Sequence, residues 1–202
     1  MWKVKVSSAH TVEDIMLAHT LRAFLEENNV QFDQWGKGEA KTFENLLAEI
    51  ASGEATLEKK HGVPCRSITI SALDVYHDDG VRLLLLREKK QLFSDGRSRI
   101  RKLDRSIGEK QKSGETPSNA AHRALVEELG ITETLLLFAG PLITKGPLPS
   151  LSFPGLFTFY NVYVFDVFLP KHLYRANGYV ERQKEKTSYF VWEKCREFEA
   201  RM

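Results

Sequence analysis

The residues best suited to chemistry fall in one stretch, Glu115 to Ile131, which holds Glu115, Arg123, Glu127 and Glu128. Thr116 followed by Pro117 predicts a helix start, with a capping hydroxyl and a proline where no amide donor is needed. Gly130 supplies the stop. At 100° per residue, with Ala124 taken as zero, Glu128 falls near about +40° and Glu127 near about −60°. Ala121, Leu125, Leu129 and Val126 fall between about +60° and +200°, so the helix has an apolar flank and an acidic flank. Neighbouring carboxylates on one face repel each other unless a cation lies near them. Such oxygen-rich clusters suit Mg²⁺ or Mn²⁺. Arg123, one turn before Glu127, is placed to hold that carboxylate or to reach back to Glu115. A lone Glu-Glu pair is more often a solvated surface feature, so the pair by itself assigns nothing.

The elements that must position this helix are legible on both sides of it. Ser67 to Tyr76 alternates as a strand, His77-Asp78-Asp79-Gly80 is a turn, and Val81 to Leu86 is a second, buried strand of a hairpin. Leu135–Ala139, Leu156–Phe168 and Thr187–Trp192 are further strand candidates, and Glu193 to Ala200 a final helix. Pro147 to Tyr160, with three prolines and Gly155, reads as an ordered loop or a pocket wall. Before the hairpin the pattern differs. Met1 to Val6 alternates as a strand. Thr11, with Asp14 as capping partner, opens a helix whose stripe is Ile15, Leu17, Leu21, Phe24 and Leu25. A second helix runs from near Thr42 to Gly53 through Phe43, Leu46, Leu47 and Ile50. The expected organisation is an accessory βα unit over residues 1–62 and a main domain over 63–202.

The motif resembles the Nudix box: a glycine, five residues, Glu, seven residues, then Arg-Glu-aliphatic-any-Glu-Glu-any-Gly-aliphatic. Glu115, Arg123, Leu125, Glu127, Glu128, Gly130 and Ile131 stand in register with it. The resemblance covers roughly residues 66 to 200 and implies an α/β (α+β) Nudix-type αβα sandwich with a mixed sheet. It also implies a divalent-metal-dependent pyrophosphohydrolase acting on a nucleoside diphosphate linked to another moiety. A glutamate from a late loop serves as base in several such enzymes, which makes Glu181 or Glu185 candidates. Glu115 would orient Arg123 or bind a second metal through water.

Two positions depart from the pattern. Ala124 stands where the family has a glutamate, and Glu109 where it has a glycine, with Gly108 displaced by one. On the wheel Ala124 lies between Glu127 and Glu128, so one carboxylate is missing from the centre of the acidic face. Either Glu109 compensates, giving Glu127, Glu128 and Glu109 as metal ligands, or the domain binds a nucleotide, RNA end or protein partner without hydrolysing it. A third reading makes the N-terminal unit a protein-interaction module on a Nudix scaffold.

Between Arg87 and Lys112 there are ten Lys or Arg against four Asp or Glu. Alternate arginines in an extended segment point to one side, so Arg97, Arg99 and Arg101, with Lys110 nearby, are candidate phosphate-binding residues of a nucleotide-type substrate. The alternative is an edge strand protected by charge. The net charge of +2 is too small to argue for nucleic acid or a membrane. No apolar run approaches a membrane span. Met1 to Val6 is no signal peptide, although a transit peptide already removed would leave no trace. Cys65 and Cys195 have neither metal nor disulfide spacing. A cytoplasmic setting is the expectation, and oligomeric state is left open.

Overall fold

The computed structural model describes residues 11–101 and 103–195. Their elements are α1 (Val12–Glu27), α2 (Phe43–Ala51), β1 (Ala55–Lys60), β2 (Val63–Asp78), β3 (Leu83–Phe93), β4 (Ser98–Arg99), β5 (Ile107–Lys110), α3 (Pro117–Leu129), β6 (Phe138–Pro149), β7 (Phe157–Phe168), β8 (Tyr179–Arg182) and β9 (Lys186–Lys194). The protein is α+β with a mixed sheet ordered β6-β7-β2-β3-β9-β8, while β1 and β5 pair with β2 and β4 with β3. None of the described helices is long and apolar enough to cross a membrane.

The chain divides into two units, one of residues up to Ile68 with Lys145–Tyr160, the other of Thr69–Thr144 with residues from Asn161 onward. This differs from a cut at 62/63, because residues 145–160 belong with the N-terminal unit. The reason is packing. Phe153 and Leu156 are buried in one cluster with Leu21, Leu25, Val30, Trp35 and Leu46, and the Trp35 indole N–H donates to the Pro154 carbonyl at 2.9 Å. The segment read as a loop or pocket wall is instead the ends of β6 and β7 and a turn that plugs this core.

Both N-terminal helices start where hydroxyl caps predict. Thr11 and Asp14 form a capping box on α1, and Thr42 and Asn45 form one on α2. The stripe of α1 is shorter than expected. Leu21 and Leu25 are buried, whereas Ile15 is exposed with Val12 and Met16. The expected strand at Met1 to Val6 lies outside the described residues.

In the second unit the hairpin pairs Tyr76 with Leu85 and Asp78 with Leu83. The second strand starts at Leu83 rather than Val81, because Asp79 caps the turn by accepting from the Val81 and Arg82 amides. α3 lies against β5 and β8. Its residues Ala121, Ala124, Leu125 and Leu129 share a core with Leu73, Val75, Leu86, Phe165, Val167 and Phe190. Asp74, a buried residue of β2, is clamped by Arg87 and Arg105. Glu193 and Lys194 end β9 instead of starting a helix, and the rest of that expected helix, from residue 196, lies outside the described residues.

β8 was expected as part of a loop. It pairs along its whole length with β9, from Tyr179 opposite Phe190 to Arg182 opposite Thr187. Gly178 makes this possible. Its φ is +76°, and an added β-carbon would fall on the Phe190 carbonyl. Gly178→Ala is therefore expected to cost about 2–4 kcal/mol through strain and displacement of β8. Urea denaturation measures this, and a loss below about 1 kcal/mol would contradict the packing described.

Candidate functional site

Helix α3 begins and ends as its sequence dictates. Thr116 accepts from the Asn119 amide, Pro117 takes the first turn, and Gly130 closes the helix with φ +67°. Its buried arc differs from the flank expected on the wheel. Ala120, Ala121, Ala124, Leu125 and Leu129 are buried, while Val126 is exposed. The arc therefore runs from about −40° to +140°, with Ala124 inside it. Ala124 is not the open centre of an acidic face. It has no solvent exposure and its methyl is part of the core. The difference arises because alanine carries little amphipathic signal, so the buried methyls of Ala120 and Ala124 leave no mark on the wheel.

This rotation separates the two glutamates. Glu127 lies at the rim with half its side chain exposed, whereas Glu128 falls within the buried arc and keeps only a partial opening to solvent. The Gly108 amide donates to Glu128 Oε1 at 3.2 Å. Loss of hydration pushes the Glu128 carboxyl up to about 8, with Glu181 and Glu109 adding to the rise and the Gly108 amide and Lys186 opposing it.

Arg123 is the hub of the remaining acids. Its Nε and Nη2 donate to the two Glu115 oxygens, each at 2.9 Å, and Nη2 also donates to the Lys110 carbonyl at 2.7 Å. Nη1 lies 3.4 Å from Glu109 and 3.6 Å from Glu127. Hydrogen bonds from Arg123 hold the Glu115 carboxyl below its ordinary value. Burial raises that of Glu109, partly offset by Arg123. Glu109, on β5, is thus the one candidate ligand that interacts with Arg123 and Glu127 and also adds to the rise at Glu128.

Glu181 sits on β8 with 8% exposure, close enough to Glu128 to raise it. Glu185 is exposed in the following turn, where its carbonyl accepts from the Ser94 amide. Of the two late glutamates, only Glu181 joins the site. The arginines are drawn together by their neighbours: Arg97 and Arg99 both stand over the Phe93 ring, and Arg99 and Arg101 are linked through Gln91 and Glu88. Arg97 is held by Asp95 in an exposed turn, Arg99 by Gln91, and Arg101 by Glu88. The extended segment shrinks to the two residues of β4. Lys110 contributes its backbone carbonyl to Arg123. His122 is bonded through both ring nitrogens to the Ser118 and Leu135 carbonyls, a structural role. Lys186, beside Glu128, was visible only as one charge in the run Arg182 to Lys186.

The donor chemistry fits a hard cation, since Glu128, Glu109 and Glu127 offer only carboxylate oxygens and Glu128 carries uncancelled repulsion. As they stand, no three metal-ligating side chains among the described residues are gathered round one point. Arg123 draws Glu109 and Glu127 to itself, so cation uptake requires Glu109 to turn toward Glu128. No protein-family model matches this chain, and no curated protein matches it.

The raised Glu128 carboxyl has a consequence for stability. The folded chain keeps that proton to about 8, the unfolded chain only to its ordinary value near 4.5. Folding therefore takes up a proton between those limits, and stability falls as pH rises through the window. Glu128→Gln is expected to flatten this dependence and to be stabilising at its upper end. Urea midpoints across the window, in chelator, test this; an unchanged slope in the variant would place the titration elsewhere.

Proposed function

We propose that this chain is a Nudix-type pyrophosphohydrolase that depends on Mg²⁺ or Mn²⁺ and acts on a nucleoside diphosphate linked to another moiety. The observation that carries the reading is Glu128. A carboxylate enclosed by protein, beside Glu181 and Glu109, costs stability when ionised, and a bound divalent cation would relieve that cost. The bonding of Arg123 to Glu115 supports the reading, since the resemblance to the Nudix box has Glu115 orient Arg123.

Glu128, Glu109 and Glu127 would hold the cation. When bound, it supplies Lewis-acid polarisation of a phosphoryl oxygen and a lowered pKa for coordinated water. The chain does the rest. Glu181 would accept a proton from the attacking water. The new bond joins the water oxygen to phosphorus, the bridging P–O bond breaks, and the leaving phosphate takes the electron pair. Lys186 offsets charge near the carboxylates. Arg123 is a positioning residue that sets Glu109, Glu115 and Glu127. A cytoplasmic setting belongs to the same proposal.

A second reading is favoured by Ala124. With its methyl sealed in the core, the chain has no oxygen where the family places a glutamate, and the domain would bind a nucleotide, RNA end or protein without turnover. The two readings separate in a panel of nucleoside diphosphate derivatives with excess Mg²⁺ or Mn²⁺. The enzyme reading expects phosphate-bond cleavage that drops at least about a hundredfold in Glu128→Gln, and cation affinity that weakens about tenfold or more in Glu109→Ala. Ligand binding without cleavage by either chain would establish the binding module instead, and unchanged cation affinity in Glu109→Ala would end the compensation idea.

A further inference from the structure

A cavity of about 380 Å³, a size that suits a small molecule, lies where β2 and β7 end. Every residue that lines it belongs to the second unit. It is not the site of the α3 carboxylates. Ala72 of β2 pairs with Gly108, whose amide meets Glu128. His77, at the cavity, stands further along the same strand by about 16 Å of extended chain. None of the lining residues is one of the acids around Arg123 and Glu128.

His77 gives this cavity its chemistry. It is 5% exposed, and its ring stacks on Tyr174 with centroids 4.0 Å apart and planes 15° from parallel. Nδ1 meets the Leu169 carbonyl at 2.9 Å. A carbonyl only accepts, so Nδ1 carries the hydrogen, and the neutral ring keeps its lone pair at Nε2. That nitrogen has no hydrogen-bond partner among the described residues. A purely structural histidine would need only the stack and the Nδ1 bond that ties β2 to the residue after β7. Burying an acceptor with no donor costs free energy. An unanswered Nε2, on a histidine that lines a cavity, points to a donor supplied by a ligand.

The rest of the lining narrows what carries that donor. Phe168, Leu169, Pro170 and Tyr174 offer apolar and aromatic surface, which suits a flat ring. Asp79 is already paired with Arg82. Asp78 and Lys171 oppose each other in sign, so the lining selects no net charge. We propose that this cavity binds a flat, uncharged aromatic molecule that donates an N–H to His77 Nε2. The site stands whether or not the carboxylates of α3 hydrolyse a diphosphate.

Indole and benzofuran are matched probes, because the two have the same shape and only indole carries an N–H. Each is titrated into the full chain with ¹⁵N-labelled histidine, and the imidazole nitrogens are followed by long-range ¹H–¹⁵N NMR. The free protein should show His77 protonated at Nδ1. Indole should move the His77 Nε2 resonance and leave His122 in place, since both ring nitrogens of His122 are already bonded. Indole is expected to bind about fivefold more tightly than benzofuran, the scale of one neutral hydrogen bond. His77→Phe keeps an aromatic ring against Tyr174 and should erase that preference, with benzofuran affinity within about twofold of the unaltered chain. Equal affinity for the two probes, binding of neither, or an unmoved Nε2 overturns the proposal on the unaltered chain alone. A folded His77→Phe chain that still prefers indole overturns it as well.

Discussion

Much of the site depends on one guanidinium. Arg123 projects from α3 and is bonded to Glu115 and the Lys110 carbonyl, with Glu109 and Glu127 within ion-pair distance. It ties the helix to β5 and to the loop between them, so the acids cannot be placed independently. Hydrogen bonds to a charged group are worth about 1.5–3 kcal/mol each when partly buried. That bonding also explains the division of labour among the acids. Those within reach of Arg123 are offset by it, while Glu128, within the buried arc, is left with Glu181 and Glu109 as neighbours and the Gly108 amide and Lys186 opposing them. The protein thus stores an electrostatic imbalance at one carboxylate, and a divalent cation is the simplest group to relieve it.

The parts of this arrangement set by local chemistry were legible in the sequence. The start and end of α3 follow from Thr116, Pro117 and Gly130, and the caps of α1 and α2 follow from Thr11 and Thr42 for the same reason. The sequence left Arg123 with Glu127 or Glu115 as partner, and the structure bonds it to Glu115, with Glu127 further off at 3.6 Å. What the sequence concealed depends on pairing between distant segments. Tyr179 to Arg182 becomes a strand only because β9 lies beside it, and that strand carries Glu181 to Glu128. Gln91 and Lys186 acquire meaning only through register. Residues 145–160 joined the N-terminal unit because Phe153 and Leu156 fill its core, a contact no periodicity reveals. The error over Ala124 was of another kind: alanine is ambiguous between surface and core, and only its neighbours decide.

Under the hydrolase proposal, an alanine at 124 with a glutamate at 109 has a physical logic in this setting. A carboxylate at 124 would enter an arc shared with Leu125 and Leu129 and would need a cation at all times. Glu109, one quarter exposed, has Arg123 within ion-pair distance, which offsets part of the rise that burial imposes on its carboxyl. On that proposal, Glu109 is a ligand that turns from arginine to metal.

Calorimetric titration of Mn²⁺ in buffers of different ionisation enthalpy tests this account most directly, because it counts protons displaced by the cation. With the Glu128 carboxyl at about 8, uptake near neutral pH should release close to one proton per ion, fewer as pH approaches and passes that value, and none in Glu128→Gln. Mn²⁺ uptake that releases no proton at neutral pH, or no uptake at all, would contradict the claim that Glu128 is the cation's principal seat.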